Sequence, residues 1–309
     1  MIELQRKLLG DRVRNAAFEK ALKKVIVPGK TTIVDLGSGT GFLSFLASRM
    51  GAKHCTLIEY GDILDVSQKD AVRNGITNCT FIKRHSTDVR KLEPVEVLVS
   101  ETLGNYALEE NIIESVEDAK RFLKPKGIII PGSIRQFVCP VTGDRLAKEI
   151  DCWDTGHDLD LSEARTIAMT NMYVKTIRPE ELLNGKDAIR EWDSVDFKNK
   201  NASIRTGTER WTAEKPMTIH GFGLWWEAEL VAGITLSTSP LEKPTHWEQI
   251  YLPLLEPIEL RNGQSCELHL HSDSRFEVKI NLTWEARMLD AAGKTIATQK
   301  MDMQKGYLI

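Results

Sequence analysis

The sequence predicts an α/β domain with a mostly parallel sheet, followed by a second domain rich in β-strands. Three observations lead to this prediction. A glycine-rich loop joins a strand to a helix near the N-terminus, strands and helices alternate up to about residue 131, and long runs of alternating apolar and polar residues follow. The 309 residues are enough for two domains of ordinary size.

The first elements form a helix and a βαβ unit. Apolar residues recur at helical spacing over residues 4–24, which predicts one amphipathic helix. An apolar strand is predicted over residues 31–36, a helix over 42–50 and a second strand over 56–60. This order is typical of nucleotide-binding sheets.

The next elements continue the alternation. Strands are predicted over residues 80–83 and 95–100, and a helix over 109–123. The helix should stop at Lys124-Pro125-Lys126-Gly127, because proline and glycine terminate helices. A short apolar strand over 127–131 would then complete a parallel sheet covered on both faces.

The pattern changes in the second domain. Residues 276–288 alternate strictly between apolar and polar, and residues 222–231 and 266–271 behave similarly, which predicts half-buried antiparallel strands in a barrel or sandwich. Residues 151–172 break this rhythm and are predicted to be helical. We therefore divide the chain into an N-terminal helix (1–24), a cofactor-binding domain (25–132) and a β-rich domain (133–309).

The loop after the first strand carries three glycines in the form Asp35-x-Gly37-x-Gly39-x-Gly41, and Glu59 follows about 20 positions later. Glycines let the backbone turn tightly and approach a ligand, and an acid at this distance can bind ribose hydroxyls. A dinucleotide fingerprint would have glycine where Phe42 stands. The form resembles the S-adenosylmethionine loop of Rossmann-like methyltransferases, so we predict a nucleoside cofactor; a tight turn without a ligand is the alternative.

Composition excludes several classes of partner. A formal net charge of -3 gives no overall attraction to nucleic acid or to anionic membrane. No apolar run is long enough to span a membrane, and the first residues lack the apolar core of a signal peptide. Five scattered cysteines without CxxC spacing indicate reduced thiols in a cytoplasmic protein and no metal site.

Two glutamates mark a candidate substrate site. Glu101 and Glu110 stand at the ends of the loop that follows the fourth strand, and the carboxyl ends of parallel strands are where such sheets bind ligands. Two carboxylates facing one cation suit a planar guanidinium, which has five donors in a fixed fork. The alternative is that Glu109 and Glu110 only favour the start of a helix.

A third cluster, Thr245-His246-Trp247, lies far along the chain. It resembles the THW loop of the protein arginine N-methyltransferase family, and residues 100–110 resemble that family's double-glutamate loop. Residues 34–41 resemble its cofactor loop and residues 9–14 its N-terminal helix motif. The resemblance implies a Rossmann-like methyltransferase domain, a β-barrel-like domain with a helical dimerisation arm, S-adenosyl-L-methionine as cofactor, and an arginine-containing protein or peptide as substrate.

The resemblance also implies how the cofactor is held. Arg14 would meet its methionine carboxylate, and Glu59 would bind its ribose. Thr87 stands where the family usually has an acid. Six further residues would line or contact the cofactor: Asp35, Gly37, Gly39, Gly41, Ser86 and Thr87.

On the substrate side, the resemblance implies that Glu101 and Glu110 clamp the guanidinium. Asp11 and His246 fall where the family pairs an aspartate with the histidine of the THW loop. The proton could leave through a glutamate or through an Asp11–His246 relay, and the residues leave both routes open. Aligned proximity of the reacting groups alone can account for about 7–11 kcal/mol of the barrier.

The chain departs from the family where substrate is gripped. Thr102, Leu103 and Asn105 stand where the family usually has tryptophan, methionine and tyrosine. The degree of methylation is therefore open, and a methyltransferase acting on another amine, such as a small molecule or a modified peptide, is one alternative. A non-catalytic scaffold that binds the cofactor is another. Residues 151–172 resemble the family's dimerisation arm, which predicts a homodimer; an ordinary surface hairpin is the alternative.

Overall fold

The structure, a computed structural model, describes residues 2–154 and 157–308. Two helices precede the first strand, α1 (Ile2–Gly10) and α2 (Arg12–Val25). The prediction of one continuous helix over residues 4–24 is therefore wrong. The chain leaves helical geometry at Asp11, whose carboxylate accepts the backbone N–H of Arg14 at 2.9 Å and so caps α2.

A five-stranded parallel sheet forms the first domain, in the order β3-β2-β1-β4-β5. Its elements are β1 (Thr32–Leu36), α3 (Phe42–Arg49), β2 (His54–Ile58), α4 (Ile63–Arg73), β3 (Cys79–Ile82), β4 (Val95–Ser100), α5 (Ile112–Ala119) and β5 (Leu123–Ile130). The predicted parallel sheet is confirmed. The strand order reverses between β1 and β4, and a crevice at such a reversal is where open α/β sheets bind ligands.

Two boundaries differ from the prediction. The helix expected from residue 109 begins only at Ile112, because the preceding loop is drawn into contacts with the second domain. The predicted terminator Lys124-Pro125-Lys126-Gly127 lies inside β5. A proline is tolerated there because β5 is an edge strand, on which a missing N–H is not needed for pairing.

The second domain is built from two antiparallel sheets, and the predicted β-rich domain is confirmed. Its elements are β6 (Ser133–Val141), α6 (Arg145–Ile150), α7 (Ser162–Ala168), β7 (Tyr173–Lys175), β8 (Arg190–Asp196), β9 (Ile204–Thr212), β10 (Met217–Val231), β11 (Ile234–Ser237), β12 (Gln249–Leu260), β13 (Ser265–Asp273), β14 (Asn281–Leu289), β15 (Thr295–Asp302) and β16 (Gly306–Leu308). One sheet has the order β7-β12-β10-β6-β8, with β11 on β10, and the other β16-β15-β14-β13-β9. The domain boundary proposed at residue 132 falls between β5 and β6.

The strand predicted over residues 276–288 begins only at Asn281. Residues 274–280 form a loop that contacts the first domain instead. The side chain of Asn111 donates to the carbonyls of Ser274 (2.8 Å) and Lys279 (3.3 Å), and Phe276 N–H donates to a carboxylate oxygen of Glu114 (2.5 Å). These tertiary contacts override the alternating pattern.

The region predicted as helical over residues 151–172 contains one short helix, α7, and residues 155 and 156 lie outside the described residues. Arg165 on α7 holds this region to the rest of the domain. Its guanidinium bonds to Asp151 at 2.8 Å, to Glu256 at 3.0 Å and to the carbonyl of Leu255 at 2.8 Å. Over residues 2–154 and 157–308, no helix combines the length and the apolar character needed to cross a membrane.

Candidate active site

A cavity of about 660 Å³ opens at the carboxyl ends of the parallel strands, against the second domain. Its size is within the range of small-molecule sites. Most of its lining comes from α1, the glycine-rich loop, the residues after β2, residues 101–110 and residues 246–248, and Arg14 of α2 and Val174 of β7 complete it. We call residues 101–110 the double-glutamate loop. The cavity therefore joins segments that are far apart in the chain.

The glycine-rich loop places bare backbone against the cavity. Gly37, Gly39 and Gly41 all have positive φ, at 63°, 53° and 79°. A Cβ on Gly41 would lie 2.4 Å from the hydroxyl of Ser67, and one on Gly37 would lie 2.8 Å from the methyl group of Thr102. A side chain at these positions would thus be both strained and in collision, so the loop requires glycine.

Glu59 follows β2 and is fixed on both sides by backbone. Its carboxylate accepts N–H from Gly39 at 3.1 Å and from Gly61 at 2.7 Å. The side chain lines the cavity next to the glycine-rich loop. A carboxylate held in this way is well placed to accept hydrogen bonds from the hydroxyl groups of a sugar.

Asp35 lies on β1 and is buried, although it reaches the cavity wall. The hydroxyl of Ser44, on α3, donates to its carboxylate at 2.7 Å. Burial raises the pKa of Asp35 to about 7, against the opposing effect of the Ser44 hydrogen bonds. Asp35 therefore joins the first strand to the helix that follows the loop.

Arg14 and Glu101 form an ion pair, with only 6% and 7% of their side-chain surfaces exposed. Arg14 Nε donates to Glu101 Oε2 at 3.0 Å, and Nη2 also contacts Oε2. Burial raises the pKa of Glu101, and the positive charge of Arg14 opposes that rise. Both hydrogen bonds end on the same oxygen, so Arg14 makes no hydrogen bond to Glu101 Oε1.

Glu110 faces the same cavity and is reached by solvent through it. The surrounding protein, together with the carboxylates of Glu101, Glu109 and Glu59, raises the pKa of Glu110 to about 7. Burial also raises the pKa of Glu109, whose carboxylate accepts the N–H of Asn105 at 3.1 Å. The mutual repulsion of these acids favours a cationic ligand.

The structure brings Asp11 and His246 together across 235 residues of sequence. Asp11 Oδ2 accepts both the backbone N–H and Nδ1 of His246, each at 2.8 Å, while Oδ1 caps α2. Burial would raise the pKa of Asp11, but the hydrogen bonds from His246 and Arg14 outweigh it and lower the pKa. The second domain is thereby joined to the first turn of α2.

Two tryptophans of the second domain hold the double-glutamate loop. Trp226 Nε1 donates to the carbonyl of Gly104 at 3.0 Å, and Trp247 Nε1 donates to that of Leu103 at 2.8 Å. Their rings meet edge to face at 5.0 Å. From the sequence alone, Trp225-Trp226 indicates only core packing and surface; the available signal for this contact was that a buried indole N–H needs an acceptor.

Ser86 and Thr87 lie outside the cavity lining, in a single turn of 3₁₀-helix after β3. The carbonyl of Ser86 accepts from Arg121 at 2.9 Å, and the hydroxyl of Thr87 is 2.8 Å from His85 Nδ1. Within the described residues, no cluster of three or more histidine, cysteine or acidic side chains could hold a metal ion.

Comparisons with known proteins agree with this geometry. A methyltransferase domain matches residues 29–184, and the arginine methyltransferase oligomerization subdomain matches residues 135–287. Over 285 residues, the chain is 30% identical to the arginine N(omega)-methyltransferase of Streptomyces achromogenes subsp. streptozoticus, covering 88% of this chain and 77% of that one. The chain belongs to the protein arginine N-methyltransferase family.

More distant members of the protein arginine N-methyltransferase family match over most of the chain. The probable protein arginine N-methyltransferase 6.1 of Oryza sativa subsp. indica is 26% identical over 303 residues, covering 86% of this chain and 80% of that one. The Trypanosoma brucei PRMT1 enzyme–prozyme heterotetrameric complex with AdoHcy has the same fold, with a TM-score of 0.84 at 20% identity over 97% of this chain and 98% of that one. The oligomerization subdomain of the family includes the predicted dimerisation arm, so family membership supports oligomerisation.

Proposed function

We propose that this chain transfers a methyl group from S-adenosyl-L-methionine to a guanidinium nitrogen of arginine in a protein or peptide. The observation that carries the proposal is that Glu101 and Glu110 line the same cavity as the glycine-rich loop. A cofactor on that loop and a cation between the glutamates would then be neighbours. The family to which the chain belongs has this activity.

The cofactor end fits S-adenosyl-L-methionine, which supplies an electrophilic sulfonium methyl group when bound. The bare backbone of Gly37 and Gly39 allows close approach, and Glu59 offers carboxylate oxygens to ribose hydroxyls. Arg14 lines the cavity, where it is paired with Glu101, and is proposed to meet the carboxylate of the cofactor; Lys7 is a second cation of the lining. Ser86 and Thr87 follow β3 outside the cavity lining, and we propose them for the adenine on the family resemblance.

The acceptor end suits a guanidinium. Glu101 and Glu110 can each hold one side of its planar fork, which leaves one nitrogen for the reaction. Electrostatic stabilisation of this kind is worth about 10²–10³ in rate for each group removed. A pKa of about 7 would let Glu110 accept the proton that the nitrogen loses; Asp11 and His246 offer a second route.

A second candidate is a small guanidino compound as acceptor. Thr102, Leu103 and Asn105 replace the residues usual in the family's loop, so the pocket differs where a substrate peptide would lie. The relative from Streptomyces achromogenes subsp. streptozoticus is named for methylation of arginine rather than of protein. We keep arginine in a protein or peptide as the proposed acceptor, and the experiment below compares it with free arginine.

The test uses methyl-labelled S-adenosyl-L-methionine with arginine-rich proteins, a cell lysate and free arginine. Products are hydrolysed and examined for methylarginines, which also identifies mono-, asymmetric or symmetric methylation. We expect labelled protein with the wild type and none with Glu110→Gln. Label in free arginine alone would favour the second candidate, and cofactor binding without any methylarginine would favour another amine or a scaffold.

We also propose that the chain works as a homodimer through the arm at residues 151–172. Leu159 and Ile167 are large apolar side chains with 65% of their surface exposed, and Arg165 holds the arm in place. Apolar side chains presented on a fixed support are typical of interfaces between subunits. Light scattering should give twice the mass of one chain. The double variant Leu159→Ser with Ile167→Ser should give one chain, and a monomeric wild type at micromolar concentration would refute the proposal.

We propose the cytoplasm as the compartment of this enzyme. All five cysteines are free, and three of them are buried. Reduced thiols are the rule where glutathione and thioredoxin maintain them. Fractionation of cells with an antibody to the chain would test this, and recovery from a secreted or membrane fraction would contradict it.

A further inference from the structure

The two glutamates of the double-glutamate loop are held in different ways. Glu101 is held through its side chain, because Arg14 donates hydrogen bonds to its carboxylate. Within the part of the chain that the structure describes, no hydrogen bond holds the carboxylate of Glu110. The direction in which the Glu110 side chain points is therefore set by its rotamer and by the backbone on either side of it.

Asn111 directly follows Glu110 and has an uncommon backbone conformation. Its φ of 56° and ψ of 32° lie in the left-handed region, which is unfavourable for residues other than glycine. The chain turns at Asn111 from the double-glutamate loop into α5, which begins at Ile112. A residue keeps such a conformation only where the surrounding contacts fix it, and residues of this kind are concentrated at functional sites.

The contacts that fix Asn111 come from the second domain. Its side-chain Nδ2 donates to the carbonyl of Ser274 at 2.8 Å and to that of Lys279 at 3.3 Å. The two carbonyls lie near the two ends of the loop 274–280, which precedes β14. One side chain of the first domain thus holds both ends of a loop in the second domain.

The loop 274–280 is held to the first domain at two further points. The N–H of Phe276 donates to Glu114 Oε2, on the first turn of α5, at 2.5 Å. The ring of Phe276 meets the ring of His85 edge to face, with 5.7 Å between the centroids. Because three side chains of the first domain contact this short loop, it is a fixed support for Asn111.

We propose that Asn111 and the loop 274–280 form an interdomain clasp that directs Glu110 toward the acceptor. The inference rests on the proposed methyl transfer, because it assigns Asn111 as a positioning residue for that reaction. Glu101 is then positioned by an ion pair, and Glu110 is positioned through its backbone. A small displacement of that backbone would move one carboxylate away from the guanidinium and misplace the reacting nitrogen.

The test compares Asn111→Gly with Asn184→Gly. Asn184 also has a left-handed backbone, with a φ of 46°, but it is exposed and lies outside the cavity lining. Glycine adopts both conformations readily, so the main loss in Asn111→Gly is the pair of hydrogen bonds to the loop 274–280.

We expect Asn111→Gly to lower kcat/KM for an arginine-containing peptide by about 10²-fold, the cost of a misplacement of about 1 Å. The cofactor Kd should stay close to that of the wild type, and Asn184→Gly should keep the kinetic constants of the wild type. Equal kcat/KM in the two variants would overturn the clasp, and so would a loss in Asn111→Gly that is confined to cofactor Kd.

Glu114→Ala is a second variant, which also serves if Asn111→Gly does not fold. It removes the acceptor of the Phe276 N–H and leaves the side chain of Asn111 in place. We expect kcat/KM for the peptide to fall, by less than in Asn111→Gly. If hydrogen exchange shows that the loop 274–280 is released in Glu114→Ala while kcat/KM is unchanged, the clasp does not position Glu110.

Hydrogen exchange also provides a readout that does not need turnover. The amides of residues 108–111 and 274–280 should exchange faster in Asn111→Gly than in the wild type and in Asn184→Gly. If the wild type makes no methylarginine, the proposed function fails, and this exchange measurement alone then decides whether Asn111 holds the loop. Equal exchange in the three proteins would refute the clasp in that case.

Discussion

The two ends of the cavity are built in different ways. At the cofactor end, the glycine-rich loop and Glu59 are tied to each other by backbone N–H groups, all within about 25 residues of sequence. At the acceptor end, the double-glutamate loop is held by side chains that arrive from α2, β10 and the segment at 246–248. The first end is thus specified locally, and the second depends on the packing of two domains.

Because of this difference, we expect substitutions at the two ends to have different effects. A change at the cofactor end alters backbone geometry and should act on cofactor affinity. A change at the acceptor end alters charge or orientation and should act on turnover with the acceptor. Thr102 is one point where the ends meet, because a Cβ on Gly37 would lie 2.8 Å from its methyl group.

The largest effect should come from Glu101→Gln. The substitution removes half of the guanidinium clamp and leaves the buried guanidinium of Arg14 without its partner. We expect kcat to fall by about 10³ and the free energy of unfolding to fall by about 3 kcal/mol. Steady-state kinetics and denaturant unfolding measure the two effects. A stable, active Glu101→Gln would mean that the acceptor end is not organised by this ion pair.

Gly41→Ala should act on the cofactor end alone. Its φ of 79° is strained for alanine, and the new Cβ would lie 2.4 Å from Ser67 Oγ. We expect a loss of about 1–3 kcal/mol in unfolding free energy and weaker cofactor binding by calorimetry. Gly75→Ala is the matched control, since Gly75 has a φ of 64° but no atom within 4 Å of the added Cβ. If both substitutions lower the free energy of unfolding equally, backbone strain alone explains the loss and the contact with Ser67 contributes nothing.

Asp11→Asn should weaken the link between α2 and His246 while keeping the helix cap, because asparagine also caps helices well. Asp11 Oδ2 serves two donors of His246, and an amide nitrogen in its place would face them without accepting. We expect kcat to fall by about 10²-fold, the lower end of the effect of losing one acid–base group, with cofactor Kd nearly unchanged. If only the cofactor Kd changes, the Asp11–His246 pair acts on cofactor binding and not on the acceptor.

The smallest effect should be a shift in the pH profile. Glu110 must be ionised to hold a guanidinium, and its pKa is about 7, so kcat/KM for the acceptor should fall as the pH drops below about 7. Glu109→Gln removes one of the negative charges that raise this pKa, so the fall should move to lower pH. Glu248→Gln, which removes a different carboxylate of the cavity, should leave the profile in place. If the pH profile of Glu109→Gln matches that of the wild type, Glu110 is not the group whose titration controls kcat/KM.

Sequence reasoning was strongest where structure is local. The strand, glycine-rich loop, helix and Glu59 are adjacent in the chain, and their chemistry is readable from spacing. The break at Asp11 was missed because the apolar pattern continues through it, although Asp11 caps α2 through the N–H of Arg14 and is also bonded by His246. The anchoring of the double-glutamate loop by Trp226 was also missed, since a hydrogen bond across 122 residues leaves no pattern in sequence.

The pairing of Asp11 with His246 has a consequence during protein synthesis. Asp11 is translated first, and His246 follows 235 residues later. At about 5–20 residues per second, a ribosome needs roughly 10–50 s to cover that interval. The glycine-rich loop and Glu59 can fold well before then, so a nascent chain could acquire its cofactor end while it still lacks the means to hold an acceptor. Methylation by this enzyme would therefore begin only after the segment with His246 and Trp247 has been translated.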